Sequence, residues 1–236
     1  MRILVGGASG LVGGALLAHL KATGHEIVRL SRGSGGEGAS SGETARGAGA
    51  AGPGAIPWDP DRGILEPSLL RGFDAVVHLG GASIASGRWS VERKQLILES
   101  RTRSTLLLAE RIATLPADAR PRTFVVASAT GYYGNRGDAL LDETSGPGDG
   151  FLADVCRAWE EAAGPASRAG VRVVQPRTGV VLARDGGALA AMLLPFRLGL
   201  GGPIGSGRQW WPWISLRDLV RVFERALSDE SLSGPV

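Results

Sequence analysis

Apolar residues along this chain fall into short runs separated by stretches of helical periodicity. Ile3, Leu4 and Val5 make the first run, which predicts a strand buried on both faces. Gly6 and Gly7 end it. Leu11, Val12, Ala15, Leu16, Leu17 and Leu20 then carry an apolar helix onward. A second strand is predicted over residues 26–30, a short third closes at Pro57-Trp58-Asp59-Pro60, and a fourth covers residues 73–79. A fifth covers residues 122–128 and a sixth residues 171–174. Leu96, Ile97, Leu107, Leu108 and Ile112 give a helical stripe to residues 90–113; further helices are predicted over 151–168 and 215–227. Strands alternating with helices from the first residue predict the α/β class, with an open, doubly wound, mostly parallel sheet.

Glycines supply the first candidate chemistry. Gly7, Gly10 and Gly13 stand at G-x-x-G-x-x-G spacing between the first strand and the first helix. Such a turn lets backbone approach a pyrophosphate, and the helix start turns N–H groups and a positive dipole end toward it. This predicts a Rossmann-type dinucleotide site; the bland alternative is a turn that merely closes a βα unit. The second strand ends in Ser31-Arg32 with no acidic residue, which favours the 2′-phosphate of NADP over the free ribose of NAD. A solvated loop arginine is the other reading. Asp59 either approaches the adenine or caps its own turn. Ser31, Arg32, Gly80, Gly81, Ser128 and Tyr132 all fall at carboxyl ends of predicted strands, where ligands of such sheets lie.

Composition narrows the classes. The 236 residues suit one α/β domain with at most a small appendage. Net charge is only +3 and the arginines are scattered, so nucleic-acid binding is not expected. Residues 33–57 are rich in Gly, Ala and Ser without periodicity and read as a flexible surface loop. Cys156 is the only cysteine, which excludes an internal disulfide and points to a reducing, cytoplasmic setting. His19, His25 and His78 lack ligand spacing, so no metal site is expected. Pro195 and Arg197 cut the longest apolar stretch below membrane length, and no membrane partner is expected. The oligomeric state is not legible.

The segments HLGGASI, SATGYYG and PWISLRDLV resemble the extended short-chain dehydrogenase/reductase superfamily. RWSVERKQLILESR, FLADVCRAWE, PRTGVVL and DGGALAAMLLPFRLGLGGPIGSGRQW resemble, more narrowly, its atypical "epimerase family" branch. Members are labelled NAD(P)-dependent nucleoside-diphosphate-sugar epimerases, and some are related to a plastid and cyanobacterial cell-division factor. The resemblance implies an NADP(H)-binding Rossmann domain over residues 1–182, and a substrate-binding lobe that starts over 183–236 and returns to the sheet. It places Gly7, Ser9, Gly10, Leu11 and Val12 at the pyrophosphate, and Ser31 and Arg32 at the 2′-phosphate. Leu79, Gly80 and Gly81 would line the cofactor. Arg101 stands where extended members keep a cofactor-contacting Asn, and Val181 would border the nicotinamide side. Family members run on for tens of residues, so a truncated, incomplete substrate lobe is expected here.

The resemblance fails at catalysis. Active members carry a Tyr and a Lys four residues apart at the start of the helix that begins near Phe151. This chain has only Tyr132 and Tyr133, neither in that helix. Tyr132 and Ser128 are the candidate substitutes; their alternative roles are packing under the cofactor and satisfying a strand end. Lys94 reads as solvated or substrate-facing. Cys156, beside Trp159 on an apolar face, reads as inert. Trp210 and Trp211 form either an apolar wall for a substrate or a packed return of the loop, with Arg88 and Trp89 on the opposite rim; Trp213 is expected in the core. Two functions follow. One is an NADP(H)-dependent oxidoreductase or epimerase-like enzyme acting on an unidentified small molecule. The other is a non-catalytic NADPH-binding regulatory protein tied to cell division.

Overall fold

The computed structural model describes residues 1–32, 54–203 and 205–236. The first apolar run becomes β1 (Arg2–Gly6), with Ile3, Leu4 and Val5 fully buried. It lies between β2 (Glu26–Arg32), reached through α1 (Leu11–Ala22), and β4 (Ala75–His78). Outside β2 lies β3 (Ala55–Trp58). On the other side follow β5 (Thr123–Val126), β7 (Arg172–Gln175) and β11 (Gly234–Pro235). The order is β11-β7-β5-β4-β1-β2-β3, and all six pairings are parallel. Chain order reverses between β1 and β4, so the crevice at their carboxyl ends is the switch point where such sheets bind ligands.

The central strands feed two cores, because alternate side chains face opposite sides of the sheet. Leu4, Val76 and Phe124 pack with Leu108 and Ile112 of α2 (Val91–Thr114) and Trp159 of α3 (Phe151–Glu161). Ile3, Val5 and Val77 pack with Leu16 and Leu20 of α1 and with Leu219 and Phe223 of α6 (Leu216–Ser228). His19 Nε2 and Glu224 Oε2, 2.7 Å apart, tie α1 to α6. Beyond the carboxyl edge, β6 (Ser128–Ala129) pairs with β8 (Arg177–Thr178), and β9 (Val180–Ala183) with β10 (Trp213–Ser215). An exposed helix, α5 (Gly187–Arg197), joins β9 to the segment before β10.

Three expectations need correction. The loop assigned to residues 33–57 overlaps β3, which begins at Ala55 because its backbone pairs with β2 from Arg29↔Ala55 onward; residues 33–53 lie outside the described residues. Residues 151–168 are two helices, since Pro165 lacks an N–H and opens a separate α4 (Gly164–Arg168). Trp213 is 63% exposed, because its backbone pairs with Val180 while its side chain faces outward. The final residues add β11, which the sequence pattern does not mark: a two-residue strand is too short for periodicity.

Candidate cofactor-binding site

Two of the three motif glycines, Gly7 and Gly13, leave no room for a side chain. Gly7 adopts φ +79°, and a Cβ there would stand 2.6 Å from the Leu79 carbonyl carbon. A Cβ on Gly13 would stand 2.2 Å from the Gly7 oxygen, so α1 and the turn touch through bare backbone. Gly10 donates its N–H to Gly7 O at 3.2 Å and caps α1 without a side-chain bond. First-turn amides such as those of Leu11 and Val12 have no helical carbonyl to bond, and Ser9 and Gly10 before them are exposed. Leu11 lies against the Gly186-Gly187 turn, where a Cβ on either glycine would come within 3.2 Å of its methyls. Val181 of β9 is half-buried and pairs with Ile214.

The end of β4 forms the other wall. Leu79 donates its N–H to Gly6 O at 2.9 Å, locking the two strand ends together. A Cβ on Gly81 would stand 2.9 Å from the Arg101 guanidinium carbon. Arg101 lies behind that glycine, donates from Nη1 to the carbonyls of Ala82 and Ile97 (3.0 Å each) and sits 5.1 Å over the Trp159 ring. Burial holds it below the usual arginine value. Ser31 is half-buried and Arg32 is exposed at the β2 end, where Arg32 pairs with Trp58. Asp59 accepts from the N–H groups of Asp61 (3.0 Å) and Arg62 (3.1 Å), so it caps its own turn.

A second cluster stands at the ends of β5 and β7. Ser128, 2% exposed, donates its Oγ–H to Glu160 Oε1 at 2.6 Å. Arg177 grips the same carboxylate from Nε and Nη2 and donates from Nη1 to Tyr133 Oη at 3.0 Å. Its guanidinium stacks 3.5 Å over the Tyr132 ring. Burial pushes Arg177 down, but the bonds to Glu160 and Tyr133 more than offset this and hold it charged above its ordinary value. Cys156 is buried beneath, and burial followed by the charge of Glu160 raises its thiol to about 11. The sequence reading missed Arg177, Glu160 and His78. Glu160 and Arg177 are 17 residues apart on different elements, and no spacing rule links them.

The outer rim is divided. Trp89 packs edge-on against Phe151 at 5.5 Å and donates to Ile84 O at 2.9 Å. Lys94 lies 5.4 Å over the same Phe151 ring. Arg88 is exposed beside them. Trp210, 76% exposed, donates to Asp138 Oδ1 at 2.7 Å, and Trp211 is 47% exposed. Among the described residues no group of three or more His, Cys, Asp or Glu could hold a metal ion, and no helix is long and apolar enough to cross a membrane.

Comparison with known proteins shows the family. Residues 3–235 match the model of the NAD dependent epimerase/dehydratase family. The chain is 43% identical over 234 residues to the epimerase family protein Mb2239 of Mycobacterium bovis, covering 99% of this chain and 71% of that protein. It superposes on human epimerase family protein SDR39U1 (isoform2), solved with NADPH, with TM-score 0.81 and 38% identity over 100% of this chain and 73% of that one. A nucleoside-diphosphate sugar epimerase from Corynebacterium glutamicum gives TM-score 0.80 and 39% identity, and this chain spans 45% of it.

Proposed function

The chain belongs to the NAD dependent epimerase/dehydratase family, and we propose that it is an NADP(H)-binding oxidoreductase or epimerase-like protein acting on a small molecule. The carrying observation is the bare backbone cradle at the switch point: Gly7 against Leu79 and Gly80, Gly13 against Gly7, and a helix start capped by glycine alone. That cradle fits a pyrophosphate. Ser9, Gly10 and the amides of Leu11 and Val12 would hold the phosphates, and Gly80 and Gly81 would admit the nucleoside. Ser31 and Arg32 at the β2 end suit a 2′-phosphate, and the human relative solved with NADPH supports the same choice. Bound there, the nicotinamide would supply hydride transfer.

Tyr132 and Ser128 are the chain's candidates for moving the accompanying proton. They differ in readiness. Ser128 already gives its proton to buried Glu160, whereas the Tyr132 ring is held from one face by Arg177 and is half-buried. Tyr132 is therefore the better candidate. Trp210 and Trp211, Arg88 and Trp89 would border the substrate. The engagement of Ser128 by Glu160 also favours a second reading, a non-catalytic NADPH-binding regulatory protein.

The deciding experiment is a fluorescence titration with NADPH and NADH on the wild type and Arg32→Ala. NADPH binding that weakens about tenfold in the variant, with NADH unchanged, supports the site and the cofactor choice. Absence of binding to both removes the proposal. Screening of carbonyl and sugar-nucleotide substrates then separates the two readings. Turnover lost in Tyr132→Phe with NADPH affinity intact supports the enzyme; a cofactor never oxidised across the panel supports the regulator.

A further inference from the structure

We propose that His78 is the positioning residue of this site: its ring is a wedge that sets the spacing between the Gly6-Gly7 turn and the segment after β4. The inference rests on the cofactor reading above. His78 ends β4 and is fully buried. A Cβ on Gly6 would stand 2.7 Å from its Nδ1, and a Cβ on Gly80 would stand 2.6 Å from its Cε1. One ring edge therefore abuts two α-carbons in two different segments. These two segments meet again where Gly7 lies against the Leu79–Gly80 peptide, with room for no side chain between.

The ring itself is tightly held. Ser104 Oγ donates to Ser100 O at 2.7 Å, so it accepts from the ring Nε2–H, 2.8 Å away. Trp58 meets the ring edge-on, at 5.7 Å and 88°. Trp58 is also the residue paired with Arg32 across β2 and β3, so the wedge touches the strand pair that carries the 2′-phosphate candidate. Nδ1 is buried with no hydrogen-bond partner. A bare buried acceptor lowers stability, and an aliphatic residue there would avoid that cost. A flat five-membered ring, however, presents a thin edge to both glycines at once. A branched aliphatic chain of similar volume would push them apart.

The test is a double-mutant cycle on NADPH affinity, read by fluorescence with thermal unfolding alongside. Folded His78→Ala is expected to bind NADPH about tenfold more weakly, which is about 1.4 kcal/mol. Gly80→Ala is expected to lose a similar factor, because its methyl collides with the ring. In the double variant the methyl enters the space the ring vacated, so the combined loss falls well below the product of the two. A generic core residue would not give that coupling. Should His78→Ala not fold, His78→Asn, smaller but still polar, takes its place in the cycle with the same expectations. Wild-type affinity in the folded His78 variant, or losses that simply multiply, overturns the wedge and leaves the cofactor site standing. A wild-type chain that binds no NADPH overturns the cofactor reading and the wedge with it.

Discussion

Arg177 holds Glu160 through two parallel hydrogen bonds of 2.8 Å, with both side chains nearly dry at 4% and 10% exposure. Removing one partner of such a pair leaves a buried charge alone and costs about 3–5 kcal/mol. Glu160→Ala should therefore unfold in urea with a loss of that size. Arg177→Met should lose as much, and should also free Tyr132 and Tyr133. A loss below about 1 kcal/mol in both variants would mean that water reaches the pair, as at exposed ion pairs.

His78 makes stability depend on pH. Burial lowers its pKa from 6.5 to about 4 in the folded chain. Between those values the unfolded chain binds a proton that the folded chain refuses. Stability therefore rises with pH across this window and falls as pH drops from about 6.5 to 4, by about 3 kcal/mol when complete. The carboxylates of Asp142 and Asp229 are held low chiefly by the hydroxyls of Thr144 and Ser231, and weaken the fold in the same direction at more acid pH. Urea unfolding at pH 7 and pH 4.5 should show the slope, and His78→Asn should flatten it. An unchanged slope in the variant would assign the effect to other groups.

Arg172 fastens the end of the chain to the sheet. Nη1 donates to the carbonyls of Ala226, Asp229 and Leu232, and Nη2 to Leu227 O and Thr123 Oγ1, all within 2.9–3.1 Å. These carbonyls close α6 and lead into β11. Arg172→Met should cost about 2–4 kcal/mol, because several part-buried carbonyls lose a charged donor together. Hydrogen exchange should speed up first in residues 219–236. Uniform exchange across the chain would contradict this local anchoring.

Cys156 should be slow to react. Its thiol is 4% exposed and raised to about 11, so little thiolate exists at neutral pH. A disulfide reagent should label it at least about a hundredfold faster after unfolding. Rapid labelling of the native chain would show that the packing around Cys156 opens.

The glycine turn was legible because its signal is local. Gly7, Gly10 and Gly13 announce a tight turn by spacing alone, and in three dimensions Gly7 and Gly13 of that turn have no space for a Cβ. Asp59 could not be decided from sequence; the structure spends its carboxylate on the N–H groups of Asp61 and Arg62. Trp213 misled because a large apolar residue where a loop returns to the sheet suits a core, while the direction of its side chain depends on pairing with β9.

What the sequence by itself determined is the longer strands and helices, the parallel α/β class and the glycine turn. Each depends on periodicity or steric demands within a few residues. What only the tertiary structure decided is which distant groups meet: Arg177 with Glu160 and the two tyrosines, His78 between Gly6 and Gly80, and the late β11 on the sheet edge. Hydrophobic patterning reports how deeply a segment is buried and which face turns inward. It carries no record of the partner buried opposite, and a buried charge or ring is specified by that partner.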